Sequence, residues 1–382
     1  MTLPDVLSFL VDEAAGLPDG GAALAALGGR LAAAGLPLAG GALTQAAPHP
    51  IIARRTWLWR AGDGEVIEAL GLGQRPAPAA ALSGSDPVGR DWLAGLGTGI
   101  VRQDVVGAAA NLSSATPSSA DPSSADPSSA GPAVLGWAAR RPLRAGEAAL
   151  LGDVARFAAA PLAVLAARAT TAALLETYLG RRSAARVLAG RLRRDAGETI
   201  RAVLLYADLR GFTELSEAAA PDEVVAALGD WFDRIAGAVH AFGGEVLKFI
   251  GDGVLAIFPV EGRQAAVACE AALRATAAAR AGMDHLDRQR AGAGRPPLLY
   301  GTALHLGEML WGNIGAADRL DFTAIGPAVN LVSRLEGLCR PLGRPVLVSG
   351  AFAAETSEPL VALGDHPLRG IATPCPVFAP AR

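Results

Sequence analysis

A tight hairpin in the C-terminal half constrains the fold of this chain more than any other feature. Two short apolar segments, 245–250 and 254–258, flank a Gly-Asp-Gly turn, and glycine next to aspartate is typical of turns that join antiparallel strands. An apolar strand at 200–206 precedes the hairpin. Between them, 221–242 has the periodicity of an amphipathic helix, whose predicted apolar face consists of Val224, Val225, Leu228, Phe232, Ile235 and Val239. The sequence therefore predicts the order β-α-β-β for this region.

Further elements continue that order towards the C-terminus. They are predicted as a helix at 263–290, a second hairpin of 299–306 and 309–314 around Gly307, a helix at 327–338, and short strands at 346–348 and 377–378. The order βαββαβ followed by extra elements is the ferredoxin-like split arrangement. We therefore expect an α+β fold, within the broad α/β class, for residues 198–382.

The first 176 residues have a different organisation. Alanine- and leucine-rich helices are predicted within 1–35, strand-like segments with Trp57, Trp59 and Trp92 within 50–105, a strand at 133–139, and a long helix at about 146–178. Strands that end in a long helix resemble a small sensory domain of the GAF or PAS kind. We therefore predict a smaller, regulatory α/β domain at 1–176.

A low-complexity tract at 113–132 repeats Ser-Ser-Ala with a period of five residues. It is too polar and too rich in proline to pack into a core. Because tryptophans lie on both sides of it, we interpret it as an insertion within one domain. Residues 177–197, with apolar Leu179, Val187, Leu188 and Leu192, predict an amphipathic helical connector to the second domain.

Composition excludes several classes of function. A net charge of −3 gives no electrostatic basis for binding nucleic acid or an acidic membrane. The three cysteines are scattered, which argues against a disulfide framework or a zinc site and favours a reducing compartment. The N-terminus lacks a basic region typical of signal peptides, and charged residues interrupt the apolar stretch 147–178. We expect a soluble, cytoplasmic protein.

Two aspartates at strand ends are candidate metal ligands. Asp208 follows the strand at 200–206, and Asp252 lies in the hairpin turn. In the split fold these elements are neighbours, so the two carboxylates can converge on one face of the sheet. Such a pair suits Mg²⁺, which keeps waters and takes further ligands from phosphate, although aspartate is also a common residue of turns.

Two further segments carry polar groups suited to a nucleotide. Gly211-Phe212-Thr213 opens a helix directly after Asp208, and the free N–H groups at a helix start bind anions. In the helix that begins near Pro327, Asn330 and Arg334 are four residues apart and therefore share one face. Such a pair is either solvated surface or a grip on a ribose and a phosphate that gains charge.

Three motifs together resemble the catalytic domain of class III nucleotidyl cyclases. They are Asp-Leu-Arg-Gly-Phe-Thr at 208–213, Lys-Phe-Ile-Gly-Asp-Gly at 248–253, and Thr-Ala-Ile-Gly-Pro-Ala-Val-Asn-Leu-Val-Ser-Arg at 323–334. They occur in the family's order within about 198–380. The resemblance implies a catalytic domain that closes a cyclic nucleotide from a nucleoside triphosphate with two Mg²⁺ or Mn²⁺ ions per site.

The resemblance also assigns roles to individual residues. They are Asp208, Leu209 and Asp252 at the metals, Asn330 orienting the ribose, Arg334 at the transition state, Gly211, Phe212 and Thr213 at the triphosphate, and Arg369, a weaker match, at the terminal phosphates. The implied reaction is attack of the ribose 3′-oxygen on the α-phosphorus, with loss of diphosphate. No protein nucleophile is needed.

Base choice in this family rests on the positions of Lys248 and Thr323. Lys248 is the only lysine among 34 basic residues. A lysine donates hydrogen bonds and cannot accept one, so the Lys/Thr pair resembles adenylyl cyclases, which read N1 and the 6-amino group of adenine. Guanylyl cyclases typically carry glutamate at the lysine position. The pair also resembles the bicarbonate-responsive subgroup.

The sequence therefore predicts an adenylate cyclase that acts on ATP. Two alternatives stay open, namely a catalytically silent nucleotide-binding regulator and a guanylate cyclase. A diguanylate cyclase shares the core fold, but the hairpin turn lacks that family's Gly-Gly-Asp/Glu-Glu-Phe signature.

Lys248 and Asp252 occupy opposite ends of one short strand and its turn. The family's solution to this geometry is a two-fold dimer, in which the metal residues of one subunit face the base and ribose residues of the other. We therefore predict a homodimer with two active sites at its interface, regulated by the N-terminal domain through the connector.

Overall fold

The computed structural model describes residues 4–47, 52–72, 87–96, 100–107, 133–191, 193, 197–262, 264–316 and 320–381. The chain divides into two compact units, Met1–Leu175 and Glu176–Arg382. The low-complexity tract at 113–132 and Leu192 of the connector lie outside the described residues. Each unit is built of mixed helix and sheet.

The first unit contains one antiparallel sheet and its helices. The strands are β1 (Leu38–Ala46), β2 (Ile52–Arg60), β3 (Val66–Leu72), β4 (Val101–Val105) and β5 (Val134–Ala139), in the spatial order β3-β2-β1-β5-β4. The helices are α1 (Asp5–Asp12), α2 (Gly20–Ala33), α3 (Pro87–Gly95), α4 (Ala145–Phe157) and α5 (Ala159–Leu179), with a 3₁₀ turn at Ala14–Gly16.

Tryptophans form the centre of the first unit's core. Trp59 and Trp137 meet edge to face, with ring centroids 6.5 Å apart, and Trp57 is buried in the same cluster. Helices α1, α2, α4 and α5 supply the leucines that pack against these rings. On the other face of the sheet, Leu93 of α3 is fully buried.

Several predictions for this unit are confirmed and several are wrong. The helices near the N-terminus and the strand at 133–139 are present. The long helix predicted at 146–178 is two helices, α4 and α5, and Trp92 lies in helix α3 and not in a strand. The glycine-rich strand β1 was not predicted, because Gly40 and Gly41 weaken its strand signal.

The second unit carries the split arrangement predicted from the sequence. Its strands are β6 (Glu198–Leu209), β7 (Glu245–Ile250), β8 (Gly253–Pro259), β9 (Tyr300–Gly315), β10 (Leu320–Ile325), β11 (Val346–Ser349), β12 (Leu360–His366) and β13 (Cys375–Pro380). Its helices are α6 (Arg181–Leu188), α7 (Phe212–Ala218), α8 (Pro221–Ala241), α9 (Ala265–Gly292), α10 (Pro327–Glu336) and α11 (Gly350–Ala353).

The sheet order in this unit is β12-β13-β11-β9-β6-β8-β7, and β10 pairs with β9. The four strands β9, β6, β8 and β7 are antiparallel neighbours, which is the ferredoxin-like core with β6 near its centre. Helices α8 and α9 cover one face, where Trp231 and Phe258 are fully buried. Helix α10 packs on the other face against a separate apolar cluster.

The predicted second hairpin around Gly307 is wrong. Residues Tyr300–Gly315 form one continuous strand, β9, which pairs with β6 from Tyr300 to Trp311. Gly307 serves close packing and not a turn, because a Cβ there would lie 2.7 Å from His305 Nε2 and 2.8 Å from the Cβ of Ala328. The chain instead reverses after β9, and the returning strand β10 pairs with it in antiparallel register.

The apolar face predicted for 221–242 is also partly wrong. Val225 is 69% exposed, whereas Trp231 is fully buried. The helix is therefore rotated so that Ala227, Trp231 and Ile235 face the core. Strands β10 and β12 were not predicted, because their burial does not follow a clean alternation.

Among the described helices, α5 is the one that is long and apolar enough to cross a membrane by length and composition. It also packs Leu162 and Leu165 into the core of the first unit, and Arg168 Nη1 donates to the carbonyl of Ala15 at 2.6 Å. Length and composition alone are weak evidence for a membrane span.

Candidate active site

Two carboxylates meet at the end of the central strand β6. Asp208 is the penultimate residue of β6, and Asp252 lies in the turn between β7 and β8. The two carboxyl groups are close enough that the charge of Asp252, and a hydrogen bond with it, raise the pKa of Asp208. The structure thus brings together the two aspartates singled out in the sequence.

Burial and repulsion raise the pKa of Asp208 to about 7. The largest cause is burial of the carboxyl group, followed by the charge of Asp252, and the charge of Glu336 adds to it. The Leu209 N–H donates to the Asp208 carboxylate and opposes the shift. Two carboxylates that raise each other's cost of ionisation are the arrangement that a cation relieves.

The donor set fits a divalent metal. Asp208 Oδ1 is buried and has no hydrogen-bond partner among the described residues, so a ligand position is open. Two carboxylates with a nearby backbone carbonyl are hard oxygen donors of the kind that Mg²⁺ uses when phosphate completes its shell. Within the described residues no cluster of three or more His, Cys, Asp or Glu side chains forms a fully protein-built metal site.

A buried tryptophan positions the hairpin turn. Trp231 of α8 donates from Nε1 to the backbone carbonyl of Asp252 at 2.9 Å. Its ring also contacts Tyr300 of β9, with centroids 5.1 Å apart. Trp231 therefore anchors the Asp252 turn to helix α8. The sequence alone did not reveal this role, because Asp252 is 21 residues away from Trp231 along the chain.

A partly buried ion pair lies beside the carboxylates. Glu336, at the end of α10, is 3.6 Å from Nη2 of Arg210, and burial, together with Asp252, raises the pKa of its carboxyl group although Arg210 lowers it. A Cβ on Gly301 would lie 2.2 Å from Glu336 Oε1 and 2.4 Å from Arg210 Nη2, so glycine leaves the space for this pair. Burial and the charges of Asp208 and Glu336 also raise the pKa of Tyr206 to about 12.

Sequence reasoning missed Tyr206, Arg210, Trp231 and Glu336. Arg210 stood inside a motif, but its partner is 126 positions further along the chain. The signal for Glu336 was its place two residues after Arg334. On a helix this spacing puts the two side chains on different faces.

The backbone after Asp208 forms the predicted helix start. Gly211 is the N-cap of α7, and Phe212 and Thr213 are its first residues. The N–H groups of this first turn are those that a helix leaves without intrahelical partners. The segment lies three to five residues from Asp208, so an anion here is adjacent to the carboxylates.

Lys248 forms an ion pair with Asp321 of β10. Thr323, the residue predicted to act with Lys248, is two residues further along β10 and is half-buried. Residues two apart on a strand share one face, so Lys248, Asp321 and Thr323 lie on the same side of this part of the sheet. Asp321 was not singled out in the sequence.

Asn330 and Arg334 are both exposed on α10, one turn apart. Neither makes a hydrogen bond or ion pair through its side chain with the described residues. Arg369 is exposed in the connection between β12 and β13 and likewise makes no such contact with the other candidate residues. The described chain thus contains two groups of candidate residues. One is the pair of carboxylates with their neighbours, and the other is Lys248 with Asp321 and Thr323, called here the Lys248 group. Asn330 and Arg334 belong to neither group and are exposed.

The connector helix α6 contacts strand β7, which carries Lys248, and strand β9, which pairs with β10. Arg182 contacts both oxygens of Glu245 on β7, at 3.0 and 3.1 Å, and Glu261 at 3.1 Å. The guanidinium groups of Arg182 and Arg186 lie 5.9 and 5.1 Å from the ring of Trp311 on β9. Trp311 in turn stacks on Phe322 of β10, with centroids 5.2 Å apart.

Comparison with known proteins agrees with the motifs. Residues 196–352 match the family model described as the adenylate and guanylate cyclase catalytic domain. The chain is 36% identical over 157 residues to adenylate cyclase 1 of Rhizobium meliloti, covering 40% of this chain and 23% of that protein. It is 33% identical over 164 residues to an adenylate cyclase of Anabaena cylindrica, covering 43% of this chain and 32% of that protein.

Among solved structures, a bacterial light-regulated adenylyl cyclase aligns with a TM-score of 0.49 and 24% identity, over 58% of this chain and 64% of that chain. The chain spans less than a third of the length of the two curated relatives named above. The family-model match covers the region that holds the carboxylates, the Lys248 group and helix α10.

Proposed function

We propose that this chain, which belongs through residues 196–352 to the class III nucleotidyl cyclases, is an adenylate cyclase. It converts ATP to 3′,5′-cyclic AMP and diphosphate. The observation that carries the proposal is the pair of facing carboxylates, Asp208 and Asp252, with a buried and unpartnered oxygen on Asp208. The Lys248 amine at the base-selecting position supports ATP as the substrate.

Asp208 and Asp252, with the carbonyl of Leu209, would hold two divalent cations, Mg²⁺ or Mn²⁺. When bound, such ions lower the pKa of the ribose 3′-hydroxyl and neutralise charge on the triphosphate. The chain's own residues supply orientation and further charge. The N–H groups of Gly211, Phe212 and Thr213 donate to triphosphate oxygens, with Arg369 as a second cation for the terminal phosphates.

The reaction needs one bond to form and one to break. The 3′-hydroxyl loses its proton to solvent as the 3′-oxygen attacks the α-phosphorus, and the bond to the bridging oxygen breaks so that diphosphate leaves with the electron pair. Asn330 orients the ribose, and Arg334 donates to the α-phosphoryl oxygens as charge develops there. Lys248 donates to adenine N1, and Thr323 accepts from the 6-amino group.

We propose that two copies of the chain form each active site. Asn330 and Arg334 are exposed and have no side-chain partners within the described part of their own chain, so they are available to a second copy. Apolar side chains on the neighbouring elements α8, β7 and β10 are also exposed: Val225 is 69% exposed, Phe249 48%, Ile250 47% and Ile325 44%. Exposed apolar residues that adjoin a site are typical of an interface.

We further propose that residues 1–176 and the connector 177–197 regulate the catalytic region at 198–382. The ion pairs of Arg182 support this, because they join the connector directly to β7. Three free, buried cysteines support a reducing, cytoplasmic location.

A guanylate cyclase is the second candidate, because Asp321 places a carboxylate acceptor beside Lys248. An assay of the purified chain with ATP or GTP, in Mg²⁺ or Mn²⁺, separates the candidates by the cyclic product. We expect cyclic AMP as the main product. Cyclic GMP as the main product would overturn the base assignment, and no cyclic product under any condition would favour a silent nucleotide-binding regulator.

A further inference from the structure

A β-bulge in β7 directs Lys248 towards β10. The pairing of β7 with β8 shifts register between Val246 and Lys248, which leaves Leu247 as the extra residue. A bulge re-aims the side chains around it. Val246 and Phe249 pack on the side of helix α8, whereas Leu247 packs with Phe322 on the opposite side.

The ammonium group of Lys248 contacts the carboxylate of Asp321 on β10. Asp321 is held on a well-anchored strand, since it pairs with Ile314 of β9 and its neighbour Phe322 stacks on the buried ring of Trp311. Aspartate has two side-chain torsions and lysine four. Asp321 therefore restricts the conformations of the Lys248 side chain before the substrate binds. Substrate binding then loses less side-chain conformational entropy.

Both members of the pair keep a side open to a ligand. The Lys248 side chain is 37% exposed and the Asp321 side chain is 54% exposed. An ammonium has three N–H donors, and the bond to Asp321 Oδ2 uses one of them. The remaining donors are available to an acceptor of the base, because the side chain is partly exposed.

The pair also sets the donor and acceptor pattern that a base encounters. An unpaired carboxylate at this place would accept from the N1–H and 2-amino groups of guanine. With its Oδ2 engaged by Lys248, Asp321 holds the ammonium beside the base, where its remaining N–H donors match the N1 acceptor of adenine and oppose the N1–H of guanine.

We propose that Asp321 is a positioning residue for base selection: it anchors Lys248 so that the site prefers adenine over guanine nucleotides. This inference rests on the proposed function of the same site. It adds a third residue to the pair Lys248 and Thr323, and it predicts that selectivity depends on the negative charge at position 321.

The test measures steady-state kinetics with ATP and GTP, together with equilibrium binding of the non-cyclisable analogues 3′-deoxy-ATP and 3′-deoxy-GTP. In Asp321→Asn, kcat/KM for ATP should fall about tenfold, chiefly through KM, because base binding is similar in the ground and transition states. Affinity for 3′-deoxy-ATP should fall by the same factor. The kcat/KM for GTP and the affinity for 3′-deoxy-GTP should change less than about twofold. The larger effect on ATP corresponds to loss of one charge-assisted hydrogen bond.

Two variants serve as controls. Asp321→Glu keeps the charge and should restore ATP kinetics to within about threefold of wild type, since a charged partner can still engage the ammonium. Glu270→Gln removes a comparably exposed ion pair with Arg274 on α9 and should leave the kinetics unchanged. Thermal unfolding of all variants should match that of the wild type, because exposed ion pairs contribute little to stability.

Unchanged ATP kinetics in Asp321→Asn would overturn the inference, as would equal losses for ATP and GTP. A fall in GTP use alone would show that the carboxylate itself binds guanine. If the wild type binds 3′-deoxy-ATP but makes no cyclic product, the proposed function fails, while the binding ratio of the two analogues still tests the role of Asp321.

Discussion

At the scale of single residues, the site depends on charges that are costly by themselves. Asp208 is half-buried beside Asp252 and Glu336, and its pKa is raised to about 7. The single lysine pairs with Asp321. Under the proposed function, a cation would offset the charge of the carboxylates and a base acceptor would engage the ammonium.

Asp208→Asn should stabilise the metal-free protein at pH 8 but not at pH 4. Folding raises the pKa of Asp208 from its ordinary value of 3.8 to about 7, so this group costs stability progressively as pH rises from about 4 towards 7. The gain at pH 8 should be about 1 kcal/mol after allowance for solvent screening of a half-exposed group. Urea midpoints with EDTA at the two pH values measure it, and an equal difference at both would contradict it.

Lys248→Arg should cripple ATP use although every other basic residue in the chain is arginine. A planar guanidinium binds the Asp321 carboxylate with two N–H groups and cannot point one compact donor at adenine N1. We expect kcat/KM for ATP to fall at least about tenfold, as for a lost charged hydrogen bond. Arg274→Lys, at an exposed pair on α9, is the matched control. Normal ATP kinetics in Lys248→Arg would remove Lys248 from the base site.

At the scale of elements, strand β9 is the component that joins the parts of the second unit. It pairs with β6, which carries Asp208, and with β10, which carries Asp321. Its Trp311 contacts the connector arginines on one side and Phe322 on the other. A hairpin at Gly307 would have separated these contacts, whereas a continuous strand links the connector to strand β10 through packed side chains.

Arg182→Gln should loosen the connector from strand β7. It removes the two bonds to Glu245, the bond to Glu261 and a contact with Trp311. Because the Arg182 side chain is 19% exposed, these contacts are worth more than surface ion pairs, and we expect amide exchange in α6 to accelerate at least about tenfold. Hydrogen exchange followed by mass spectrometry on the full chain measures this. Arg274→Gln is the control, and unchanged exchange in α6 would exclude the connector contact.

At the scale of the whole molecule, the proposed active site combines candidate residues from two copies of the chain. The described chain holds the carboxylates, the base residues and helix α10, but Asn330 and Arg334 face outward. An isologous dimer would bring these residues to the carboxylates of the other subunit and would form two equivalent sites.

Asp208→Ala and Asn330→Ala should complement each other. Each variant alone should be inactive, because both of its sites lack one residue. Coexpressed in equal amounts, half of the dimers are mixed and each mixed dimer regains one intact site, so about a quarter of the wild-type rate should return. The measurement is cyclic AMP production by the purified mixture, with the separately purified variants as controls. An inactive mixture would contradict shared sites.

The sequence by itself determined the parts of this protein that depend on neighbours along the chain. The Gly-Asp-Gly hairpin, the helix starts at Gly211 and Pro327, and the βαββαβ order all follow from local periodicity and turn chemistry. The three motifs named the family because each is a short contiguous segment. Gly307 marks the limit of this reasoning, since glycine signals a turn and a close approach equally well.

Only the tertiary structure decided which distant residues act together. It joined Glu336 to Arg210, Trp231 to the carbonyl of Asp252, and Lys248 to Asp321. These contacts depend on sheet register and on the bulge in β7, which a single sequence does not encode in any local pattern. Sheet register is set by burial across the whole core, and for that reason the partners of the site became visible only in the folded chain.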